Sequence, residues 1–545
     1  GSLDTSNIIA EEVAQEKPAE VEQLEEIPTT DELMQNPDVL EKSVADSDDP
    51  DLTVVSSGDF WTIYRNTVNN EYNLRMFGNV PSSRPTAWNS YLKSIKHIEI
   101  EEATLTGSFA SYFRGTDFPV LESVRIEQCN LSGVTSFEMA FYNSGIEKVI
   151  IRDNDYPKAP SLLTATQYMF SLCRNLSELD LSGLDTSAVT NMYAMFQNCT
   201  SLEELDLSNF DTSSATNMYS MFSGCRSLEK LDVSNFDTSS VAHMQFMFEK
   251  CSILEELDLS NFDTSSVTNM SYMFQLCPAL KSLYLDNFTD AAIMTGMFAG
   301  TTSLTYLFVS HNLSTFNNLE NTSWYDEKNW VQFSNLSQLQ TYHRQQSEPI
   351  GYRKGAFLSL TMDAMGGEFE DAEEQKVQNK ISGEYWEEVI PVKEGHYFDG
   401  WYLDQNFTNK FDFSLPAAVS TTIYAKWVEN YTVIIPASIS LNEASELKVQ
   451  GINRGSKTLS VGLNYEETTI SESNKLTLSN TADTTVRCLA PMSWDGSETN
   501  PEKAILTLAP GSEITEGDAV MEIKSPENIQ AGKYTGNVVF SIKYE

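Results

Sequence analysis

Histidine is scarce in this chain. There are five in 545 residues, at positions 97, 243, 311, 343 and 396. None sits in the His-Glu-x-x-His pattern that places two imidazoles and a general base around zinc. No Gly-x-Ser-x-Gly elbow presents a nucleophile. Gly451-Ile-Asn-Arg-Gly-Ser-Lys-Thr458 has the wrong spacing for a phosphate loop and lies among strand-like runs. Long apolar runs are also missing: no window of roughly 18 residues is apolar enough to span a bilayer as a helix. Basic residues are few, 35 Lys+Arg against 78 Asp+Glu, for a net charge of −43. That sign argues against nucleic acid and anionic membrane surfaces as general partners, and the missing apolar run against membrane insertion. Cysteines number seven, an odd count without paired Cys-x-x-Cys spacing, so neither a disulfide scaffold nor a structural zinc site is expected. With so many acids, a pair of carboxylates marks no glycosidase. The expectation is a protein with no catalytic centre, no cofactor and no metal.

What is present divides the chain into four parts. Residues 1–52 carry sixteen Asp/Glu and two Lys, 2 − 16 = −14, with four prolines. Such a segment cannot bury enough apolar surface to offset its ordering entropy and reads as a disordered acidic tail. Its Asp46–Asp51 stretch lacks the glycine and glutamate of a calcium loop. The opening Gly1-Ser2 reads as a cloning scar, which leaves room for a native leader upstream.

Residues 53–348 form a repeat array. Leu176-Ser-Glu-Leu-Asp-Leu-Ser-Gly-Leu-Asp-Thr-Ser recurs in closely similar form from Leu202, Leu228 and Leu254, each start 26 residues after the last (202 − 176 = 26). Cys173, Cys199, Cys225, Cys251 and Cys277 keep that period, as do Met195-Phe196, Met221-Phe222, Met247-Phe248 and Met273-Phe274. A fixed period in the twenties means a solenoid with one coil per repeat and atypical coils at its ends. Stacked cysteines and Met-Phe pairs read as core filling, the thiols reduced and buried.

In Leu-x-Leu both leucines face the core and the middle residue faces out, on the expected concave sheet. Those middle residues are Asp180, Asp206, Asp232 and Asp258. Two positions earlier stand Glu178, Glu204, Lys230 and Glu256. Like charges about 5 Å apart repel by about 0.8 kcal/mol in water and about 3 kcal/mol at an effective dielectric of 20. The stripe therefore stays solvated, holds ordered calcium or meets a basic partner. Asp185, Asp211, Asp237 and Asp263 open Asp-Thr-Ser turns. Asn191, Asn217 and Asn269 suggest a buried amide ladder, interrupted at His243. Trp324, Tyr325 and Trp330 read as a cap.

Residues 349–428 and 429–545 are two further parts. The last shows short alternating runs such as Leu459-Ser-Val-Gly-Leu463 and Val538-Val-Phe-Ser-Ile542, broken by Gly, Pro, Asn and Asp, which predicts a β-sandwich.

Three resemblances attach to these residues. Leu-Asp-Leu-Ser-x-Phe-Asp-Thr-Ser-x-Val-Thr-Asn-Met-x-x-Met-Phe-x-x-Cys resembles the BspA-type leucine-rich repeat of bacterial surface proteins, over about 95–310. Met365-Gly366-Gly367, Glu394-Gly395 through Gly400-Trp401-Tyr402, Phe411-Asp-Phe413 and Tyr424-Ala-Lys-Trp427 resemble the internalin-type B repeat, also called the Listeria–Bacteroides repeat, which implies a small β-grasp-like module. Ala531-Gly-Lys-Tyr-Thr-Gly-Asn-Val-Val-Phe540 is similar to the last hairpin of Ig-like domains in Gram-positive surface proteins. Together they imply a mainly β chain: a leucine-rich repeat solenoid, a β-grasp-like module and a sandwich. They further imply an extracellular, monomeric protein at the bacterial cell surface. Its solenoid would bind a host or microbial surface protein through Asp180, Asp206, Asp232, Asp258, Glu178, Glu204 and Glu256. The alternative is a glycan-binding or structural wall spacer.

Overall fold

The computed structural model describes residues 49–545 except 153, 155–158, 441–444, 469, 471–474, 495–502 and 527–529. The acidic tail expected over 1–52 lies almost wholly outside the described residues; a first strand, Leu52–Ser57, begins at its end. The chain is mainly β, 2% helical, with a β-solenoid of about nine turns. It divides into two compact units, residues 1–357 and 358–545.

In the first unit, an antiparallel hairpin of Leu52–Ser57 and Trp61–Asn66 leads into Tyr72–Pro81, which pairs in parallel with Ile95–Ser108. Parallel stacking then continues through Ser123–Glu127, Lys148–Arg152 and Glu178–Asp180. At the far end, Glu256–Asp258, Ser282–Leu285 and Tyr306–Val309 stack in parallel. Ile350–Lys354 closes that sheet antiparallel to Tyr306–Val309 and to Trp324–Asp326, so this unit runs past the expected boundary at 348. Trp324 and Tyr325 are buried within that closure. A short helix, Leu336–His343, is capped by Asn335, whose side chain accepts from Gln338 N.

The core is built by columns. Phe170, Phe196, Phe222, Phe248 and Phe274 stack with centroids 5.7–5.9 Å apart and nearly parallel planes. The six solenoid cysteines and Cys488 are free and buried. The thiols of Cys173, Cys199, Cys225, Cys251 and Cys277 each donate to the carbonyl of a phenylalanine in the preceding coil, as Cys225 Sγ does to Phe196 O at 3.2 Å. Burial pushes the Cys173, Cys225 and Cys277 thiols up to about 12. Because the thiolate is the reactive form, we expect no alkylation of solenoid cysteines by iodoacetamide at pH 8 until denaturant is added; quantitative native labelling would contradict this.

A second column zips the turns. Thr186, Thr212, Thr238 and Thr264 are fully buried. Thr212 Oγ1 donates to Asp237 O at 2.9 Å and accepts from Asp237 N at 2.8 Å, and its neighbours repeat the exchange. Asp185, Asp211, Asp237 and Asp263 hold the turns as expected, each Oδ1 accepting from the serine amide two residues on. Thr212→Val keeps the shape but strands a buried donor and acceptor. It should cost about 2–3 kcal/mol in chemical denaturation, whereas Ser213→Ala at the exposed neighbour should cost under about 1.

Two expectations change. The strongest coil-to-coil bonding runs through the Met-x-x-Met-Phe segment, where Met192, Ala194, Phe196 and Asn198 donate in turn to Asn217, Tyr219, Met221 and Ser223. In the middle coils, Leu205–Leu207 and Leu231–Val233 form no assigned strand. The amide ladder is likewise elsewhere. Asn209, Asn235 and Asn261 donate Nδ2 to carbonyls of the preceding coil. Asn191, Asn217 and Asn269 are only half-buried and accept locally from residues two ahead. His243 continues their backbone bridges without a break.

In the second unit, Leu358–Asp363 and Thr421–Glu429 pair in parallel at the centre of a four-stranded sheet. Gln375–Lys380 and His396–Tyr402 are added antiparallel at the edges. The double glycine has a steric cause. Gly366 has φ +89, and a Cβ on Gly367 would stand 2.4 Å from the Trp427 ring. The remaining strands make sheets of six and three around one apolar cluster that includes Val449, Val461 and Met521. The expected hairpin over 531–540 is not formed. Tyr534–Thr535 pairs with Lys475–Asn480 and Phe540–Tyr544 with Leu459–Leu463, because the chain crosses between sheets at this point.

Candidate interaction surface

The outward side chains of the Leu-x-Leu segments line up across the coils, and the register shows how their character changes along the solenoid. One column reads Arg75, Glu99, Arg125, Ile150, Asp180. It continues through Asp206 and Asp232 by the repeat, then Asp258, Tyr284 and Phe308. A neighbouring column reads His97, Ser123, Lys148, Glu178, then Glu204, Lys230, Glu256, Ser282 and Tyr306. Charges at the first end are paired: Arg75 Nε lies 3.3 Å from Glu99 and Lys148 Nζ 3.1 Å from Glu178. The middle is the aspartate column. The far end is aromatic.

Each of the four aspartates has a local structural duty. Its Oδ1 accepts from the serine amide two residues later, at 2.9 Å for Asp180 and Asp206 and 3.0 Å for Asp232 and Asp258. Asp206 and Asp232 are exposed, Asp180 and Asp258 half-buried; Glu178 and Glu204 are exposed and Glu256 half-buried. The structure thus brings all seven expected residues onto one face. It also shows that the glutamate column is diluted by Lys148 and Lys230, leaving the aspartates as the main charge.

Asp286 extends the acidic patch and was not singled out by sequence. It occupies the place that Ser182, Ser208, Ser234 and Ser260 hold in the regular coils. Its Oδ1 is buried without a hydrogen-bond partner. Burial, then repulsion from Asp258, pushes its carboxyl up to about 6. Beyond it, Arg353 stacks over the Tyr306 ring at 5.0 Å and pairs with buried Glu327. Tyr284 leans on Tyr306 with ring centroids 5.7 Å apart. A raised carboxylate favours the folded state only while it is protonated. Stability from Asp286 is therefore present below its ordinary value of 3.8 and lost as pH rises through about 6. Asp286→Asn should accordingly stabilise the protein by roughly 1–2 kcal/mol at pH 8, after discounting for partial exposure. That gain should vanish by pH 4 in urea melts; a pH-independent effect would contradict it.

A second surface feature lies on the Met-Phe side. Tyr142, Tyr168, Tyr193, Tyr219, Phe246 and Tyr272 form a half-buried ribbon, with Tyr193 and Tyr219 stacked at 4.4 Å and 2°. Phe246 and Tyr272 are also stacked, at 5.0 Å and 14°, whereas Tyr142 meets Tyr168 edge-on and the other pairs are tilted.

Comparison with known proteins places the repeats. Four overlapping windows, 108–205, 135–230, 164–286 and 203–316, match the family described as "Mycoplasma protein of unknown function, DUF285". Residues 108–316 of the solenoid are similar to DUF285 repeats. These are repeats of the Mycoplasma and BspA-like type, and they carry the aspartate column and the buried Phe and Cys columns together. Residues 359–426 match the Listeria-Bacteroides repeat domain, which covers the four-stranded sheet of the second unit. No curated protein matches the chain. Among solved structures, one similar chain comes from a chaperone–tip adhesin complex of CFA/I fimbriae biogenesis. It is 12% identical, with TM-score 0.16, over 34% of this chain and 78% of that one. Another is in a TLR13–ssRNA13 complex, 18% identical, with TM-score 0.21, over 45% of each chain. At those scores neither likeness adds to the argument. No helix among the described residues is long and apolar enough to cross a membrane.

Proposed function

We propose that this is a secreted or wall-attached bacterial surface protein whose solenoid acts as an adhesin, holding a basic protein partner on its Leu-x-Leu face. On this reading the DUF285 coils are leucine-rich repeats. The Listeria-Bacteroides module is a β-grasp-like spacer and the C-terminal sheets an Ig-like sandwich. Listeria-Bacteroides repeat domains occur in bacterial surface proteins, which supports the location. The observation that carries the reading is the aspartate column ending in a half-buried, desolvated Asp286 beside Tyr284 and Tyr306. A lysine or arginine side chain entering there would meet a carboxylate oxygen without a hydrogen-bond partner at the end of an acidic column, beside a Tyr306 ring that already carries Arg353. The protein has no catalytic role in this account. A glycan ligand is less well supported, because sugars stack on ring faces, and Tyr193 with Tyr219 and Phe246 with Tyr272 cover theirs against each other. The test is parallel screening of the full chain against immobilised host and microbial surface proteins and against a glycan array. Saturable, salt-sensitive binding to basic proteins supports the reading; binding confined to neutral glycans overturns it.

A further inference from the structure

The column that starts at His97 begins in a cluster that the acidic face does not explain. Glu71, His97 and Glu122 come from three successive coils, at spacings of 97 − 71 = 26 and 122 − 97 = 25 residues. Their ligand atoms all lie within 4.8 Å of one another. His97 Nε2 stands 3.3 Å from Glu71 Oε2 and 3.9 Å from Glu122 Oε2. The other oxygen of each carboxylate turns to Lys96 Nζ, at 3.6 and 3.5 Å. Each glutamate therefore divides its oxygens, Oε1 to the ammonium and Oε2 to the imidazole.

The ring is held in position from behind. His97 Nδ1 lies 2.6 Å from Ser123 Oγ. With Nδ1–H donating to that hydroxyl, the Nε2 lone pair points between the two Oε2 atoms, as outer partners commonly orient a ligating histidine. Zinc bonds nitrogen and carboxylate oxygen at about 2.0–2.2 Å, so neighbouring ligands in a tetrahedron stand about 3.3–3.6 Å apart. The 3.3 Å between His97 and Glu71 fits that geometry, and Glu122, 3.9 Å from the imidazole and within 4.8 Å of both ligands, would move inward on binding. Half-exposed side chains, 27%, 30% and 40% accessible, leave the remaining positions open. The imidazole disfavours calcium and magnesium, which seek oxygen ligands.

We propose that Glu71, His97 and Glu122 form a binding site for a first-row divalent transition metal, with zinc as its representative. Three protein ligands leave at least one coordination position free for water or for a side chain of a bound partner. Ser123 is a positioning residue. Lys96 opposes the metal through charge while holding the two carboxylates in place.

Isothermal titration of the full chain with zinc chloride tests this, with calcium and magnesium each at millimolar concentration to occupy the general acidic surface. One zinc per chain is expected. His97→Gln should weaken binding at least about 100-fold, and Ser123→Ala by roughly 10–100-fold. Lys96→Met should tighten it by about tenfold, since a like charge held 3.5–3.6 Å from both ligand carboxylates is removed. Circular dichroism checks that the variants are folded. Cobalt substitution of the unmodified chain gives an independent readout: visible absorption of low-symmetry four- or five-coordinate cobalt at one equivalent supports the site. The absence of one-equivalent zinc binding overturns the proposal. So does binding that survives His97→Gln in a folded variant, or a wild-type cobalt spectrum no different from the hexa-aquo ion.

Discussion

Replacing Asp180, Asp206, Asp232 and Asp258 together by asparagine should slow association with a basic protein ligand by roughly tenfold at 0.05 M salt. The substitution is chosen for what it leaves alone. Each aspartate uses Oδ1 to accept from a serine amide two residues on, and asparagine keeps that oxygen. Folding should be unchanged or slightly improved, because relieved repulsion at solvated spacing is worth only about 1 kcal/mol per neighbouring pair. The kinetic difference should shrink as salt rises and the Debye length falls from about 10 Å at 0.1 M to about 3 Å at 1 M. Surface plasmon resonance at two ionic strengths reads both effects. Equal association rates at low salt would reduce the column to a solvated face.

The second large effect is in the core. Phe222 is fully buried and stacks on Phe196 at 5.8 Å and on Phe248 at 5.7 Å. Phe222→Ala should destabilise the solenoid by about 3–5 kcal/mol, since a cavity forms where both neighbouring coils lose a ring. In a quasi-one-dimensional array a weak coil also uncouples its two sides. Denaturant unfolding followed by fluorescence should therefore become broader or split into two steps. Phe222→Leu, which keeps most of the volume, should cost under half as much. A loss below about 1 kcal/mol for the alanine variant would mean that the coils are held by backbone bonds alone.

The parts of the fold that are columns were legible in the sequence. A period of 26 aligns Phe, Cys, Thr and Asp, and identical coils must superpose their equivalent residues. What the period could not reveal is which segment bonds from coil to coil. Leu-x-Leu has the look of a strand, yet the continuous bonding of the middle coils passes through the Met-Phe segment. That segment carries Ala194, Ser220, Phe246 and Tyr272 at φ between 51° and 59°. Bulky side chains are rare in that region, and stacked neighbours must over-determine the backbone there. No propensity argument anticipates a phenylalanine or tyrosine in that conformation. The two asparagine columns were confused for a related reason. Asn recurs at two places in the repeat, and only the coil-to-coil distance shows that Asn209, Asn235 and Asn261 reach across while Asn191, Asn217 and Asn269 do not.

The acidic face was legible where it repeats and hidden where it departs from the repeat. Asp286 stands out only when its coil is laid on the regular ones and an acid replaces serine. Its raised carboxyl depends on burial that a sequence does not display. Glu71, His97 and Glu122 carry the same signal, one-coil spacing, but lie in atypical coils where the consensus gives no alignment. Lys148 beside Glu178 could not be placed from spacing either, because the coil between them is longer than the repeat.

The central claim is that the face bearing the aspartate column and its aromatic end is where a partner binds. Hydrogen–deuterium exchange of the full chain, with and without a basic protein ligand identified by screening, tests it most directly. The account predicts slowed exchange in peptides spanning 178–182, 204–208, 230–234, 256–260 and 282–286, with no change around 193–198 and 219–224. Protection confined to the tyrosine ribbon, or to residues 358–545, would contradict it.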